Sequence, residues 1–194
     1  MERAYKLEFA GERAGSLYVS CCGLSKTEPL HSFGPAQKPY YLIHYILRGK
    51  GRFSLRNKEF QLSSGNGFLI PPEELSFYQA DEKEPWTYIW VGFQGEMAER
   101  ILQNIGLTVV NPVFCSDHSE ELYQAVKDMM EHNTYGISND LRRNGQLQVF
   151  LSVIADGSMY TKMYLVRWRC QWTRMYTMRS FLPVRLRRSG CLAV

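Results

Sequence analysis

The sequence predicts a mainly β domain: a small closed barrel or sandwich of antiparallel strands, followed by two or three α-helices. Three observations point there. Between residues 40 and 93, short runs rich in Tyr, Ile, Phe and Trp are cut by turn signals at Gly49-Lys50-Gly51, Arg56-Asn57-Lys58, Ser64-Gly65-Asn66-Gly67 and Pro71-Pro72. Strands at that spacing suit a double-sheet barrel and not a parallel α/β sheet. After Phe93 the apolar period lengthens from that of a strand to that of a helix.

In chain order, Tyr5, Leu7 and Phe9 alternate as a short edge strand, and residues 16–22 (SLYVSCC) read as a second strand. Residues 24–38 carry Pro29, Gly34 and Pro35 and read as an irregular loop bearing His31 and Phe33, long enough to suggest a functional role. The barrel strands follow, so residues 1–94 form the barrel. Residues 95–105 place Met97, Ala98, Ile101, Leu102 and Ile105 on one helical face, with Gly106 as a stop. Residues 109–114 read as one more extended piece. Asp117 and Glu120 are spaced as a capping pair ahead of the stripe Leu122, Ala125, Val126, Met129 and Met130. A third helix opens at Ser138 with Leu147, Phe150, Leu151 and Ile154 on one face; Gly145 weakens it, and Gly157 follows its end. Residues 95–157 are thus a helical appendix of the same domain.

A chain of 194 residues has room for one domain with a real core, and its 45% hydrophobic and 22% charged content is that of a soluble globular protein. No apolar run reaches the roughly 18 residues of a membrane span. The start, MERAYKLEFAGER, lacks the apolar segment of a signal peptide, so the expected location is the cytoplasm. The five cysteines form no CxxC, and neighbours Cys21 and Cys22 point to opposite sides of a strand, so reduced thiols are expected. The net charge of +4 hides a split: residues 159–194 carry eight of the 23 Lys/Arg and none of the 19 Asp/Glu. In this tail Tyr160, Tyr164, Trp168, Trp172 and Tyr176 recur every four residues among arginines. Basic residues interleaved with aromatics can bind nucleic acid, whereas the change of composition reads as an aberrant extension.

Metal catalysis in a double-sheet barrel usually rests on three protein ligands. Barrels of the cupin type supply them as an HxH pair on one strand and a further His after a turn. Here the first strand carries His44 alone, and Pro71-Pro72-Glu73-Glu74 brings no His. There is also no GxSxG, no Cys/His arrangement and no phosphate-cradling glycine loop. The expectation is a protein that is not an enzyme, with no metal and no cofactor. Ligand binding is better served. On residues 86–93, alternation puts Trp86, Tyr88 and Trp90 on one face and Thr87, Ile89, Val91 and Phe93 on the other, with Tyr78 on the preceding run. That face is either an aromatic core or a concave wall of flat rings with polar tips, which suits sugars.

At these residues the sequence resembles the N-terminal sensor domain of AraC-family transcription regulators, over roughly residues 20–155. The resemblance is carried by residues 31–35 (HSFGP), YLIHYILRGKG at 41–51, the FxLxxGxGFLIPP pattern at 60–72, and PWTYIWVGFQG at 85–95. It implies a metal-free, cupin-like (double-stranded β-helix or jelly-roll) barrel that binds a small effector, often a carbohydrate, followed by helices that pair two subunits. It makes Tyr78, Tyr88 and Trp90 pocket-lining by position, with Trp86, His44 and the arm-proximal His31 beside them. The homodimer is expected to use Leu122, Val126, Met129, Leu147, Phe150, Leu151 and Ile154. Family members carry further residues after the linker that form two DNA-binding helix-turn-helix units, and nothing in residues 158–194 resembles them. Family-like sequence stops near Asp156-Gly157, and the composition beyond fits an out-of-frame extension; the gene read in the other frame is then expected to yield those units. The resulting expectation is an effector-sensing, dimerising domain whose DNA binding belongs to the full-length regulator. The rivals are a free-standing cupin carbohydrate-binding protein and a cupin sugar isomerase.

Overall fold

The strand between residues 87 and 94 is the centre of the architecture, because it is buried on both faces. The computed structural model describes residues 3–9 and 15–157; the tail singled out above lies outside the described residues. The described strands are β1 (Arg3–Glu8), β2 (Tyr18–Lys26), β3 (Ser32–Ala36), β4 (Tyr41–Arg48), β5 (Lys50–Leu55), β6 (Lys58–Ser63), β7 (Asn66–Ile70), β8 (Ser76–Ala80), β9 (Thr87–Gln94) and β10 (Val113–Cys115). The helices are α1 (Ala98–Asn104), α2 (Ser119–Glu131) and α3 (Ile137–Gly157). A six-stranded sheet in the order β1-β2-β9-β4-β7-β10 faces a four-stranded sheet in the order β3-β8-β5-β6, with every strand pairing antiparallel.

The four-stranded sheet has one wet face, so β5 alternates: Gly51, Phe53 and Leu55 point in while Lys50 and Arg52 point out. On β9 and β4 the apolar run is nearly continuous because helices cover the outer face. Tyr88 and Trp90 enter the barrel, while Ile89, Val91 and Phe93 meet the helices. Cys21 and Cys22 split the same way, one to each side.

Several expected boundaries move. Residues 24–38 are not one loop: β2 runs on to Lys26, and β3 pairs with β8 at the edge of its sheet, where Pro35 lacks no ladder bond. Pairing across space overrides the loop-like composition. Asp117 does not cap α2; the helix starts after His118 with no side-chain cap, and the His118 N–H donates to Ser116 Oγ at 3.2 Å. Gly157 ends inside α3, against the Cys115 carbonyl. Gly106 does take the left-handed conformation, φ +81°, that stops α1.

The assignment of Leu122, Val126, Met129, Leu147, Phe150, Leu151 and Ile154 to a subunit interface is corrected by their burial. Each is no more than 4% exposed within a single chain, in one cluster with Ile89, Val91 and Phe93. The stripes of α2 and α3 face each other and the outer face of the sheet, where β2 meets both helices, β9 meets α2 and β10 meets α3. Arg143, only 3% exposed, locks the α2–α3 connection by donating to the carbonyls of His132 and Thr134, pairing with Asp140, and stacking over Phe9 at 4.1 Å.

Candidate functional site

Inside the barrel the aromatic side chains do not fill the space between the sheets. A cavity of about 230 Å³ remains near β1 and the β3–β4 connection, bordered by Tyr78, Tyr88, Trp90, His44 and His31. It lies just below the roughly 300–1,000 Å³ of typical small-molecule sites. One sugar ring is the scale it can take.

Alternation builds the wall. Tyr88 and Trp90 on β9 and His44 on β4 share the inner face, and register sets His44 opposite Trp90. Tyr78 comes across from the other sheet. The rings meet at angles: Tyr78 and Tyr88 are 6.0 Å apart edge to face, and Tyr88 and Trp90 are 5.7 Å apart and tilted. Tyr78, Tyr88 and Trp90 are buried, yet each borders the cavity. Gly23 of β2, paired with Trp90, makes room for that ring, since a Cβ there would collide with it and with the Tyr5 carbonyl.

His44 lies at the floor, stacked on Phe68 at 4.6 Å and edge-on to Tyr88 at 5.1 Å. Burial pushes its pKa from an ordinary 6.5 down to about 3, so the ring is neutral. Its Nδ1 is buried without a hydrogen-bond partner. Cys21 and Tyr40 close the side; burial raises both acidities' pKa values above their usual range, and the two groups hydrogen-bond to each other. Neither ionises at neutral pH.

Five of the six residues singled out in the sequence therefore meet at one cavity. Trp86 does not. It is 1% exposed and packs beneath Tyr78 and Tyr88 against Gly51, so it is core. Other cavity residues escaped the sequence reading. Phe33, stacked on Tyr78 at 5.5 Å, sits on the stretch read as loop. Lys6 falls on the face of β1 opposite Leu7 and Phe9, and Lys38 reaches over Phe33 at 5.2 Å from the ring centre. The alternation of β1 was visible; which face met the cavity was not. Among the described residues no group of three His, Cys, Asp or Glu could hold a metal ion.

The model of the AraC-like ligand binding domain matches residues 18–151, the whole of the barrel from β2 onward and most of the helical layer. The chain belongs to this family. As an AraC-type sensor domain it is similar to the Msm operon regulatory protein of Streptococcus mutans, 34% identical over 143 residues, which cover 72% of this chain and 51% of that protein. It is also similar to the raffinose operon transcriptional regulatory protein RafR of Pediococcus pentosaceus, 46% identical over 54 residues, covering 27% of this chain and 20% of that protein. A third relative, the lactose operon transcription activator of Staphylococcus xylosus, is 22% identical over 62% of this chain and 44% of its own length. The AraC-type chain thus spans about half the length, or less, of these relatives. Among solved structures it is similar to a cupin 2 conserved barrel domain protein from Salinispora arenicola, with a TM-score of 0.40 and 16% identity over 51% of this chain and 81% of that one. No described helix is long and apolar enough to cross a membrane.

Proposed function

We propose that this AraC-type domain is the non-enzymatic, carbohydrate-sensing part of a cytoplasmic transcription regulator, and that the barrel cavity is its effector site. The observation that carries the reading is the tilted wall of Tyr78, Tyr88 and Trp90 around a neutral His44 whose Nδ1 has no hydrogen-bond partner. Flat rings stack on the C–H face of a sugar, and an imidazole nitrogen without a partner suits a hydroxyl, which can both donate and accept. The names of the relatives, regulators of raffinose and lactose operons among them, point to the same ligand class. DNA binding belongs to the full-length regulator. The test is a thermal-shift screen of the 194-residue chain against lactose, raffinose, galactose and other saccharides. A true effector at 100 times its Kd adds about 2.7 kcal/mol of stability; no shift with any saccharide would overturn the reading.

The same proposal pairs two copies, through a different surface from the buried stripes. Ile137, Leu141 and Val149 are exposed on α3 at intervals of four and eight residues, with Gly145 between them open to solvent. Such a ridge lets two helices approach closely around a two-fold axis. Leu141→Glu combined with Val149→Glu is expected to leave stability within roughly 0.5 kcal/mol and to convert a dimer to a monomer by light scattering. Unchanged mass would place the interface elsewhere.

A further inference from the structure

We propose that the saccharide taken by this cavity carries an anionic group, a phosphate or a carboxylate, held at the mouth by Lys6 and Lys38. The inference rests on reading the cavity as an effector site. Its lining is asymmetric in charge: Lys6 and Lys38 border it, and no Asp or Glu does. Neutral sugars present hydroxyl hydrogens that need acceptors as well as donors, and a lysine has three donors and no acceptor. The mouth is therefore complementary to a ligand that brings acceptor oxygens, and charged oxygens make the stronger bonds.

The placement of the two lysines supports this. They come from separate segments, β1 and the β3–β4 connection, yet both border the same opening. Lys38 is half-buried and holds its Nζ 5.2 Å from the centre of the Phe33 ring, which itself stacks on Tyr78 of the wall. An ammonium fixed above an aromatic wall is where a substituent on a stacked sugar ring would arrive. Lys6 Nζ now rests on Glu8, 2.5 Å away, in a pair whose side chains are 45% and 66% exposed. Glu8 feels Lys6 first and Lys38 more weakly. An ion pair so open to water is weakly held, so a ligand anion can displace the Glu8 carboxylate and inherit both ammonium partners.

The test is calorimetric titration of the 194-residue chain with galactose, galactose 6-phosphate, galacturonate and inorganic phosphate. One or both of the charged sugars are expected to bind at least tenfold tighter than galactose, and the pattern tells phosphate from carboxylate. The advantage shrinks as NaCl is raised, because partly exposed charges are screened. Lys38→Ala removes the advantage, and Lys38→Arg restores most of it. Galactose binding as tightly as its charged forms would overturn the inference and leave the effector reading standing. Inorganic phosphate binding as tightly as galactose 6-phosphate would overturn it too, since the sugar would then add nothing. Binding of none of the four defeats it, and silence in the thermal-shift screen as well would defeat the effector reading with it.

Discussion

The six-stranded sheet separates two interiors that differ in kind. On its helix side, four of 21 buried cluster residues are aromatic, and aliphatic side chains from the sheet, α2 and α3 make up most of the rest. On its barrel side, six of 13 are aromatic, His44 stands among them, and a cavity remains. Aliphatic side chains in staggered rotamers interdigitate to crystal-like density. The rings on the barrel side meet at 51–85° around the cavity, and their hydroxyl and N–H groups need partners. One strand, β9, thus carries a sealing face and a receiving face at alternate residues. The lesson is that an aromatic-rich interior is not merely a core with larger side chains.

Substitutions on the two sides are expected to behave differently. The largest effect belongs to the sealed side: Phe150→Ala should cost about 3–5 kcal/mol by chemical denaturation, with any effect on ligand affinity small. A cost under about 1 kcal/mol would mean that the helix side is as loosely packed as the barrel.

Next comes pH, which acts on the barrel side through His44. In the folded chain the His44 pKa, about 3, lies below the ordinary 6.5, so the unfolded chain takes up the proton first as pH falls. The stability associated with the neutral ring is intact above pH 6.5 and is lost progressively towards pH 3. The slope in that window should approach about 1.4 kcal/mol per pH unit and flatten in His44→Leu, as followed by urea midpoints at several pH values. An unchanged slope would show that His44 is hydrated or paired in solution.

A smaller expected effect sharpens the boundary between the two interiors. Gly23→Ala must push the Trp90 ring or β1 aside, at about 1–3 kcal/mol for overpacking. Because that displacement falls on the cavity wall, effector affinity should drop along with Tm. Affinity unchanged despite a lower Tm would mean that Trp90 does not touch the ligand.

How much of this was legible in the sequence follows from the same contrast. The period-two face of Tyr88 and Trp90 and the helical stripe of α3 were readable because each is local: neighbouring residues alternate or recur on one element. What lay across the chain was not. The stripe Leu147, Phe150, Leu151 and Ile154 looked like a surface in search of a partner, because nothing local reveals that α2, β2 and β10 cover it. Trp86 shares the parity of Tyr88 and Trp90, but its position one turn of the pleat deeper, under Gly51, depends on β5 and places it in the core. Lys6 and Lys38 reach the cavity through the pairing of β1 with β2 and the placement of the β3–β4 connection, and neither has a sequence signature.

The central claim is that the aromatic wall of the barrel is a binding surface and not simply core. It is tested most directly by calorimetric titration of the strongest ligand from the saccharide screen into three proteins: the unmodified chain, Trp90→Ala and Phe150→Ala. All three are measured at a temperature at which each is folded by circular dichroism. The expected result is that Trp90→Ala loses at least a hundredfold in affinity while Phe150→Ala, although less stable, binds within a few fold of the unmodified chain. Equal affinity in the Trp90→Ala and unmodified proteins would contradict the account and move the effector site away from the barrel cavity.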